Sequence, residues 1–273
     1  MISSPAFSQS DSTDWGSELR DFWPRKPALA VLYGVTQTSW NALASAIPNP
    51  GMIDLRLGRL RDQTGDDSVH IIRERFDFLS FTTISNNLGT RALNGDANIS
   101  LWRIGFGHQT GYGYELSSPP EEQGLLLYHG AGAGWSRLRV TDKIASTADS
   151  TRLALYEGSF RFGMNMEAGA SLRLLPELDI TLAYERDIIY RRHQVGKWLG
   201  SVVTEGAGQW LIDRLVHRVM KSSPPVAPVF RFLLKNGFAF VAYQLRHSEM
   251  FFPFKSESPL ANDSFKVGMR IVW

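Results

Sequence analysis

Apolar and polar side chains alternate along the last ten residues of the chain, S-F-K-V-G-M-R-I-V-W. One face of a strand over residues 264–273 would carry Phe265, Val267, Met269, Ile271 and Trp273, and the other Lys266, Gly268, Arg270 and Val272. A period of two residues predicts a β-strand. The apolar face of this strand carries no polar side chain.

The same alternation occurs earlier in the chain, where its polarity is informative. It runs from Ala28 to Thr36, and after the turn signal Pro48-Asn49-Pro50-Gly51 three aliphatic residues alternate with Asp54, Arg56 and Gly58. Placing Asp54 and Arg56 in a dry core would be costly. A polar interior with the aliphatic side chains facing lipid accommodates both. Apolar residues outside and polar residues inside are typical of a membrane barrel.

Further strands are predicted between these two stretches. They cover 69–83, with a bulge at Phe78-Leu79, and 98–107, 124–131 and 152–163. A hairpin is predicted over 162–190, with Leu175-Pro176-Glu177-Leu178 as its turn. A second hairpin is predicted with arms 229–235 and 238–246, because Asn236-Gly237 is the strongest two-residue turn signal. The chain is therefore expected to be all-β and antiparallel.

One segment has a helical period instead. Its apolar residues recur at the 3.6 spacing of a helix, and its polar residues lie largely opposite. The apolar stripe comprises Leu199, Val202, Val203, Gly206, Trp210, Leu215 and Val219. One inserted amphipathic helix is predicted over about 197–221, ended by Ser222-Ser223-Pro224-Pro225. It is expected to pack inside the barrel or against its rim, or to act as a gate or as a docking surface for other envelope proteins.

Composition removes several classes of function. The chain has no cysteine, which excludes disulfides, zinc–thiolate sites and thiol catalysis. Its 29 basic and 27 acidic residues are scattered, so no nucleic-acid partner is expected. The six histidines are dispersed, and no metal site is predicted. The glycine-rich stretches 105–111 and 130–134 lack the helix or the lysine of a nucleotide-binding loop, so no cofactor is predicted.

The chain divides into two parts by pattern. Residues 1–27 are expected to be a signal remnant or periplasmic arm, since Ala6-Phe7-Ser8 has the small-x-small pattern of a signal cleavage site. Residues 28–273 are expected to form a single barrel domain.

These features resemble the bacterial outer-membrane β-barrel superfamily. The resemblance is carried by the closing strand Phe265-Lys-Val-Gly-Met-Arg-Ile-Val-Trp273 and by the hairpins with apolar residues outside and polar residues inside. It implies an antiparallel transmembrane β-barrel of about 8–12 strands in the bacterial outer membrane, in contact with lipid and lipopolysaccharide. It also implies that the barrel assembly machinery reads the closing strand, with Trp273 in the terminal aromatic position. Phe265, Met269 and Ile271 would complete this signal.

The resemblance also directs the search for catalytic residues. Lipid hydrolases of the superfamily place a His and a Ser two residues apart on one strand. His108 and Thr110 have this spacing with Thr in place of Ser, and Glu115 could orient the histidine. His247 and Ser248 are adjacent, so on a strand their side chains would point to opposite faces.

A structural, transport or envelope-assembly role is favoured over catalysis. The alternatives are an outer-membrane lipid (acyl) hydrolase that uses His108, Thr110 and Glu115, and a soluble exported β-sandwich binding module. Arg191 and Arg192 follow a predicted strand and are expected to form a rim that contacts lipopolysaccharide phosphates.

Overall fold

Eight strands close into a barrel in the computed structural model, which describes residues 25–39, 49–62, 71–89, 98–117, 123–140, 147–192 and 194–273. The strands are β1 (Lys26–Ser39), β2 (Gly51–Asp62), β3 (Ile71–Ser85), β4 (Ile99–Glu115), β5 (Gly124–Val140), β6 (Phe160–Leu175), β7 (Leu178–Ile189) and β8 (Leu260–Val272). The α-helices are α1 (Thr147–Ala154), α2 (Val195–Ser222) and α3 (Ala227–Ser248). Short 3-10 helices cover Asn86–Leu88 and Pro224–Val226.

The sheet is antiparallel throughout, and β8 pairs with β1 to close it. Following paired residues once around the barrel from Glu115 on β4 leads back to Gly105 on the same strand, a shear of 10 residues (115 − 105). Strands in such a barrel tilt by about 40° from its axis, and eight strands leave an interior just wide enough for side chains to fill.

The two ends of the barrel differ. The short turn Pro176-Glu177 joins β6 to β7 beside the C-terminus, where Val272 N–H donates to the Glu177 carbonyl at 2.9 Å. We call this the turn end. At the opposite end, the loop end, β5 and β6 are joined through α1, and β7 and β8 through α2 and α3. Transmembrane barrels have short turns at one end and longer loops at the other.

The side chains of the barrel are arranged inside out. Exposed outward residues include Val31, Leu55, Leu57, Leu79, Phe81, Ile104, Phe106, Leu182, Phe265 and Val267. Buried inward residues include Asp54, Arg56, Glu74, Arg103, Glu167, Asp179, Glu185, Lys266 and Arg270. Outward aromatic rings cluster near the loop end, where Trp102 and Phe160 pack edge to face with centroids 5.0 Å apart. An apolar band with flanking aromatic residues is the outer surface of a membrane barrel.

Most of the predicted strands are confirmed. The hairpin over 162–190 is β6 and β7, with the predicted turn at Pro176-Glu177. The predictions over 69–83, 98–107 and 124–131 correspond to β3, β4 and β5, of which β4 and β5 extend to 17 residues each. The closed barrel rules out the β-sandwich alternative. The predicted arm falls largely on residues 1–24, which lie outside the described residues.

Two strand predictions are wrong because the segments are helical. Residues 152–163 begin in α1, and β6 starts only at Phe160. The predicted arms 229–235 and 238–246 form the single helix α3, with Asn236 and Gly237 in its interior. An Asn-Gly turn forms a hairpin only where the flanking strands can pair, and here the buried residues recur at helical spacing instead.

The predicted bulge at Phe78-Leu79 is also wrong. β3 pairs residue for residue with β4 from Ile71 to Ser85. The change of pattern has another cause: Leu79 and Phe81 point outward and are apolar, whereas toward the turn end Asp77 and Arg75 point outward and Phe76 points into the lumen. The switch therefore marks the edge of the apolar band on this strand.

Candidate functional site: the lumen and the helical hairpin on the outer wall

A compact group of ion pairs fills the middle of the lumen. We call it the central charge cluster; its members are Asp54, Arg56, Arg103, Glu167, Glu185 and Lys266. Lys266 Nζ lies 3.0 Å from Asp54 Oδ2 and 2.7 Å from Glu185 Oε2, and it also bonds Glu167. Every member is less than 5% exposed. The cluster ties β8 to β2, β6 and β7 through a single ammonium group.

Two arginines complete the central charge cluster. Arg56 donates to Asp54 Oδ2 at 2.7 Å and to Glu167 Oε2 at 2.5 Å. Arg103 donates to Glu185 Oε1 at 2.7 Å. The carboxylates thus receive several charge-assisted hydrogen bonds each, which is what buried ions need to offset their lost hydration.

The carboxylates of the cluster have the arrangement of a cation site. Oxygen atoms of Asp54, Glu167 and Glu185 all lie within 4.8 Å of one another. The Lys266 ammonium lies among them and is within bonding distance of all three. The lysine of the chain itself is therefore the cation that these carboxylates bind.

A second group of ion pairs lies nearer the turn end. Arg270 Nε donates to Asp179 Oδ2 at 2.7 Å, and Arg270 Nη2 lies 2.5 Å from Glu74 Oε1. Arg173 Nη2 lies 2.6 Å from Glu74 Oε2. Four strands, β3, β6, β7 and β8, are linked in this way across the lumen.

Apolar clusters pack around the ion pairs toward both ends of the lumen. At the turn end the cluster consists of Ala28, Ala30, Leu32, Leu60, Phe76 and Val272. At the loop end, Leu153 of α1 and the nearby Tyr156 pack into a cluster with Met52, Ile84, Ile99, Leu101, Leu138, Ile189 and Leu260. Burial raises the pKa of the Tyr156 phenol to about 12. The connection between β5 and β6 therefore covers the mouth of the barrel.

Helices α2 and α3 form a hairpin, residues 195–248, on the outer wall of the barrel. The contacts of α3 show that the hairpin packs on the outer face of the barrel wall and not on its lumen face. Arg231 donates to the Thr110 carbonyl at 2.9 Å and to Thr110 Oγ1 at 2.7 Å. Thr110 points outward, because its neighbour Gln109 points into the lumen and donates to Glu167. The helix predicted over 197–221 is thus confirmed as α2, but it does not lie inside the barrel, where ion pairs fill the lumen: it starts beside the rim and runs along the outer wall.

Helix α3 crosses the wall from one end to the other. Near the turn end, Tyr114 OH donates to the Pro225 carbonyl at 2.7 Å. At mid-height, His129 Nδ1 lies 2.9 Å from Asn236 Oδ1. Farther along, the outward Arg186 guanidinium lies 3.9 Å from the ring centroid of Phe240.

The two helices of the hairpin are joined by ion pairs. Lys235 Nζ lies 2.7 Å from Asp213 Oδ2, and Arg246 Nη1 lies 2.6 Å from Glu205 Oε2. Arg246 also donates to Ser201 Oγ at 3.1 Å. These charged groups of α3 face α2 or the barrel and are mostly buried.

The loop end carries a basic rim next to the start of α2. Arg191 Nη1 is paired with Glu257 Oε2 at 2.6 Å, whereas Arg192 is exposed. Arg192, Lys197 and Lys255 line a surface cavity of about 370 Å³. The predicted rim residues thus lie at the surface beside two further cations.

The predicted catalytic residues are only partly brought together. His108 and Thr110 share the outer face of β4, and the Thr110 hydroxyl accepts a hydrogen bond from Arg231. Glu115 is the last residue of β4 and falls on the opposite face of the strand. A hydrolytic role for these residues stays a prediction.

The residues of the closing strand lie where the pattern predicts. Phe265, Met269, Ile271 and Trp273 are exposed on the outer face of the barrel. Trp273 N–H donates to the Pro27 carbonyl at 3.1 Å, which places the terminal aromatic at the turn end. Their reading by the assembly machinery stays a prediction.

The alternation over the predicted hairpin 162–190 puts Glu167 and Glu185 on its polar faces, but it does not predict that both meet Lys266. The signal was present in the charges: inward positions carry acids on β2, β6 and β7 and a base on β8. The sequence pattern does not give the register of the strands around the barrel, and this register determines which of these residues meet.

Even strand number, antiparallel pairing, inside-out polarity and loops of unequal length define a transmembrane β-barrel of the bacterial outer-membrane type. The predicted class and its location, the bacterial outer membrane, follow from this geometry. No protein-family model matches the chain, and no curated protein matches it.

Similar solved structures include neisserial surface protein A (NspA), at 9% identity and a TM-score of 0.42 over 90% of this chain and 97% of that chain. Ail, the attachment invasion locus protein of Yersinia pestis, has 10% identity and a TM-score of 0.36 over 91% of this chain and 99% of its own. Ail in complex with the heparin analogue sucrose octasulfate gives a TM-score of 0.35. These similarities are too weak to bear on function.

Proposed function

We propose that this protein is a non-conducting structural barrel of the outer membrane. The observation that carries the proposal is the filled lumen: buried ion pairs occupy its middle and its turn-end part, and apolar clusters pack beside them at the turn end and above them at the loop end. Among structural, transport and assembly roles, this arrangement favours a structural role over the transport of solutes.

The energetics of the lumen support this choice. A water-filled path would require the central charge cluster to separate, and breaking a buried ion pair costs about 3–5 kcal/mol. Several such pairs would have to open together, since Lys266 and Arg56 share their carboxylates. The apolar clusters would also have to admit water.

Planar-bilayer recording tests the proposal. Purified protein, shown to be folded by its heat-dependent migration on a detergent gel, should produce no stepwise conductance. The double variant Arg56→Ser and Lys266→Ser removes two large side chains from the middle of the lumen and should raise the leak. Stepwise, ion-selective conductance of the unaltered protein, of the size expected for an open pore, would overturn the proposal.

The basic rim supports a second role, contact with lipopolysaccharide phosphates. Arg191 is paired with Glu257, so Arg192, Lys197 and Lys255 are the cations that remain around the cavity. Lys197 Nζ donates to the Lys255 carbonyl at 3.0 Å, which holds the two chain segments together. Charge-assisted bonds to phosphate are among the strongest polar contacts of proteins.

Lipopolysaccharide binding by protein in nanodiscs tests this second role. The pair Arg192→Ala and Lys255→Ala should weaken binding at least about tenfold, as expected for two lost charge-assisted contacts. The matched control is Arg218→Ala with Lys221→Ala, two exposed cations of α2 away from the rim. Equal affinity of both double variants would contradict the assignment of the rim.

A further inference from the structure

The polarity of helix α3 is reversed relative to a helix of a soluble protein. Its buried face carries Arg231, Lys235, Ala239, Tyr243 and Arg246. Its exposed face carries Val229, Leu233, Phe240, Val241 and Leu245. A soluble helix would turn the apolar residues inward and the charged residues to water. The reversal is the same as that of the barrel wall beneath it.

Helix α2 continues this apolar surface. From Trp198 to Ile212 its exposed residues are uncharged, and the acid of this stretch, Glu205, is turned toward Arg246. Fifteen helical residues rise about 22 Å, close to the ~25 Å height of the apolar band of a membrane barrel. The segment Pro224–Ser248, which contains α3, is itself long and apolar enough to cross a membrane.

The position of the hairpin places this surface at membrane depth. The Pro225 carbonyl, in the 3-10 helix just before α3, accepts a hydrogen bond from Tyr114 OH near the turn end, and His247 of α3 lies 3.5 Å from Ser39 at the loop end. The hairpin thus runs along the full height of the wall. It covers outward residues of β4, β5, β6 and β7 and presents its own apolar residues in their place.

The charged residues of α2 mark where the apolar surface ends. Beyond Ile212, toward the turn end, α2 exposes Asp213, Arg214, His217, Arg218 and Lys221. The Arg214 guanidinium lies 4.5 Å from the ring centroid of Trp210. Aromatic and basic residues at the edge of an apolar band are typical of the membrane interface.

We infer that the hairpin, residues 195–248, is a membrane-embedded element that lies in the lipid beside the barrel, with its outer face solvated by acyl chains. The occupant of this face is the hydrocarbon of the bilayer. Three observations point to it. The hairpin continues the outer apolar band of the barrel, α2 exposes no charged side chain from Trp198 to Ile212, and the cations of α3 are buried.

Single-cysteine spin labelling tests the inference directly, because the chain has no native cysteine. Val203→Cys and Val241→Cys report on the outer faces of α2 and α3. Val267→Cys, on the outer face of β8, is the lipid-facing reference, and His217→Cys is the water-facing control. The labelled proteins are placed in vesicles of phosphatidylcholine and phosphatidylglycerol, and their collisions with oxygen and with a polar nickel chelate are compared.

Labels at positions 203 and 241 should match position 267, with high oxygen collision rates. Their nickel-chelate collision rates should be at least about tenfold below that at position 217, because a polar solute is excluded from hydrocarbon. Nickel accessibility like that at position 217 would show a hairpin in water and overturn the inference. Protection from both reagents would show a protein interface, such as one between two copies, and would overturn it as well.

Discussion

Replacing Lys266 tests whether the central charge cluster holds the barrel together. Lys266→Met keeps most of the side-chain volume and removes the ammonium that Asp54, Glu167 and Glu185 share. The three buried carboxylates would then have only Arg56 and Arg103 as partners within bonding distance in the cluster. Removing one partner of a buried ion pair costs about 3–5 kcal/mol, so we expect the free energy of unfolding to fall by that amount.

Urea unfolding of the protein in lipid vesicles measures this loss, with tryptophan fluorescence and heat-dependent gel migration as two independent signals. Val267→Ala, the outward neighbour on the same strand, is the matched control and should change stability by less than about 1 kcal/mol. Adding Glu167→Gln to Lys266→Met should recover part of the loss, because it removes one uncompensated charge. A loss below about 1 kcal/mol for Lys266→Met, or no recovery in the double variant, would refute the reasoning.

Further predictions concern the helices, the seal and the closing strand. Gly237→Ala should raise the stability of α3 by about 0.5–1 kcal/mol, since no atom lies within 4 Å of the added Cβ. Gly268→Ala should lower stability in the same urea assay, because its Cβ would meet the Val31 carbonyl oxygen at 2.1 Å. The pKa of Tyr156 is raised to about 12 in the folded protein from about 10 in the unfolded protein, so its contribution to the free energy of unfolding is complete below pH 10. This contribution, about 2–3 kcal/mol, is lost as the pH rises toward 12. Tyr156→Phe should lack this part of the pH dependence of stability, and identical stability profiles of the two proteins would contradict the prediction. Trp273→Ala should reduce the yield of heat-modifiable barrel in cells, whereas an unchanged yield would count against the closing strand as an assembly signal.

The barrel could be predicted from the sequence because its alternation survives in most strands. Asp54, Arg56 and Lys266 were placed inward by pattern alone, and the structure confirms all three. Their partners could not be chosen in this way. Pairing across the lumen depends on the shear of the whole sheet, and a period of two fixes the face of a residue but not its height.

The sequence of α3 predicts a hairpin instead of a helix for a physical reason. A helix between lipid and a protein wall carries apolar residues on most of its surface, so Val229, Phe232 and Leu233 do not define a narrow stripe. Short apolar runs of this kind cannot be assigned by periodicity alone. Asn236-Gly237 then supplied a turn signal that the helix overrides.

The seal at the loop end was also missed. Leu153 and Tyr156 lie three residues apart, one turn of a helix, and both point into the loop-end cluster. The helical pattern around them is short, so the sequence predicts the beginning of the next strand there. Among the described residues, Leu153 of α1 and Tyr156 gain their burial from the loop-end cluster, a contact that the local pattern does not contain.

The position of Lys266 near the end of the chain has a consequence for the order of assembly. Its three acidic partners belong to β2, β6 and β7, all of which are made and exported before β8. Until the last strand arrives, a partly formed sheet carries acids at its centre that lack their ammonium, and such a surface is poorly suited to hydrocarbon. We therefore expect entry into the bilayer to await the synthesis of β8, and a product that lacks β8 to remain outside the membrane.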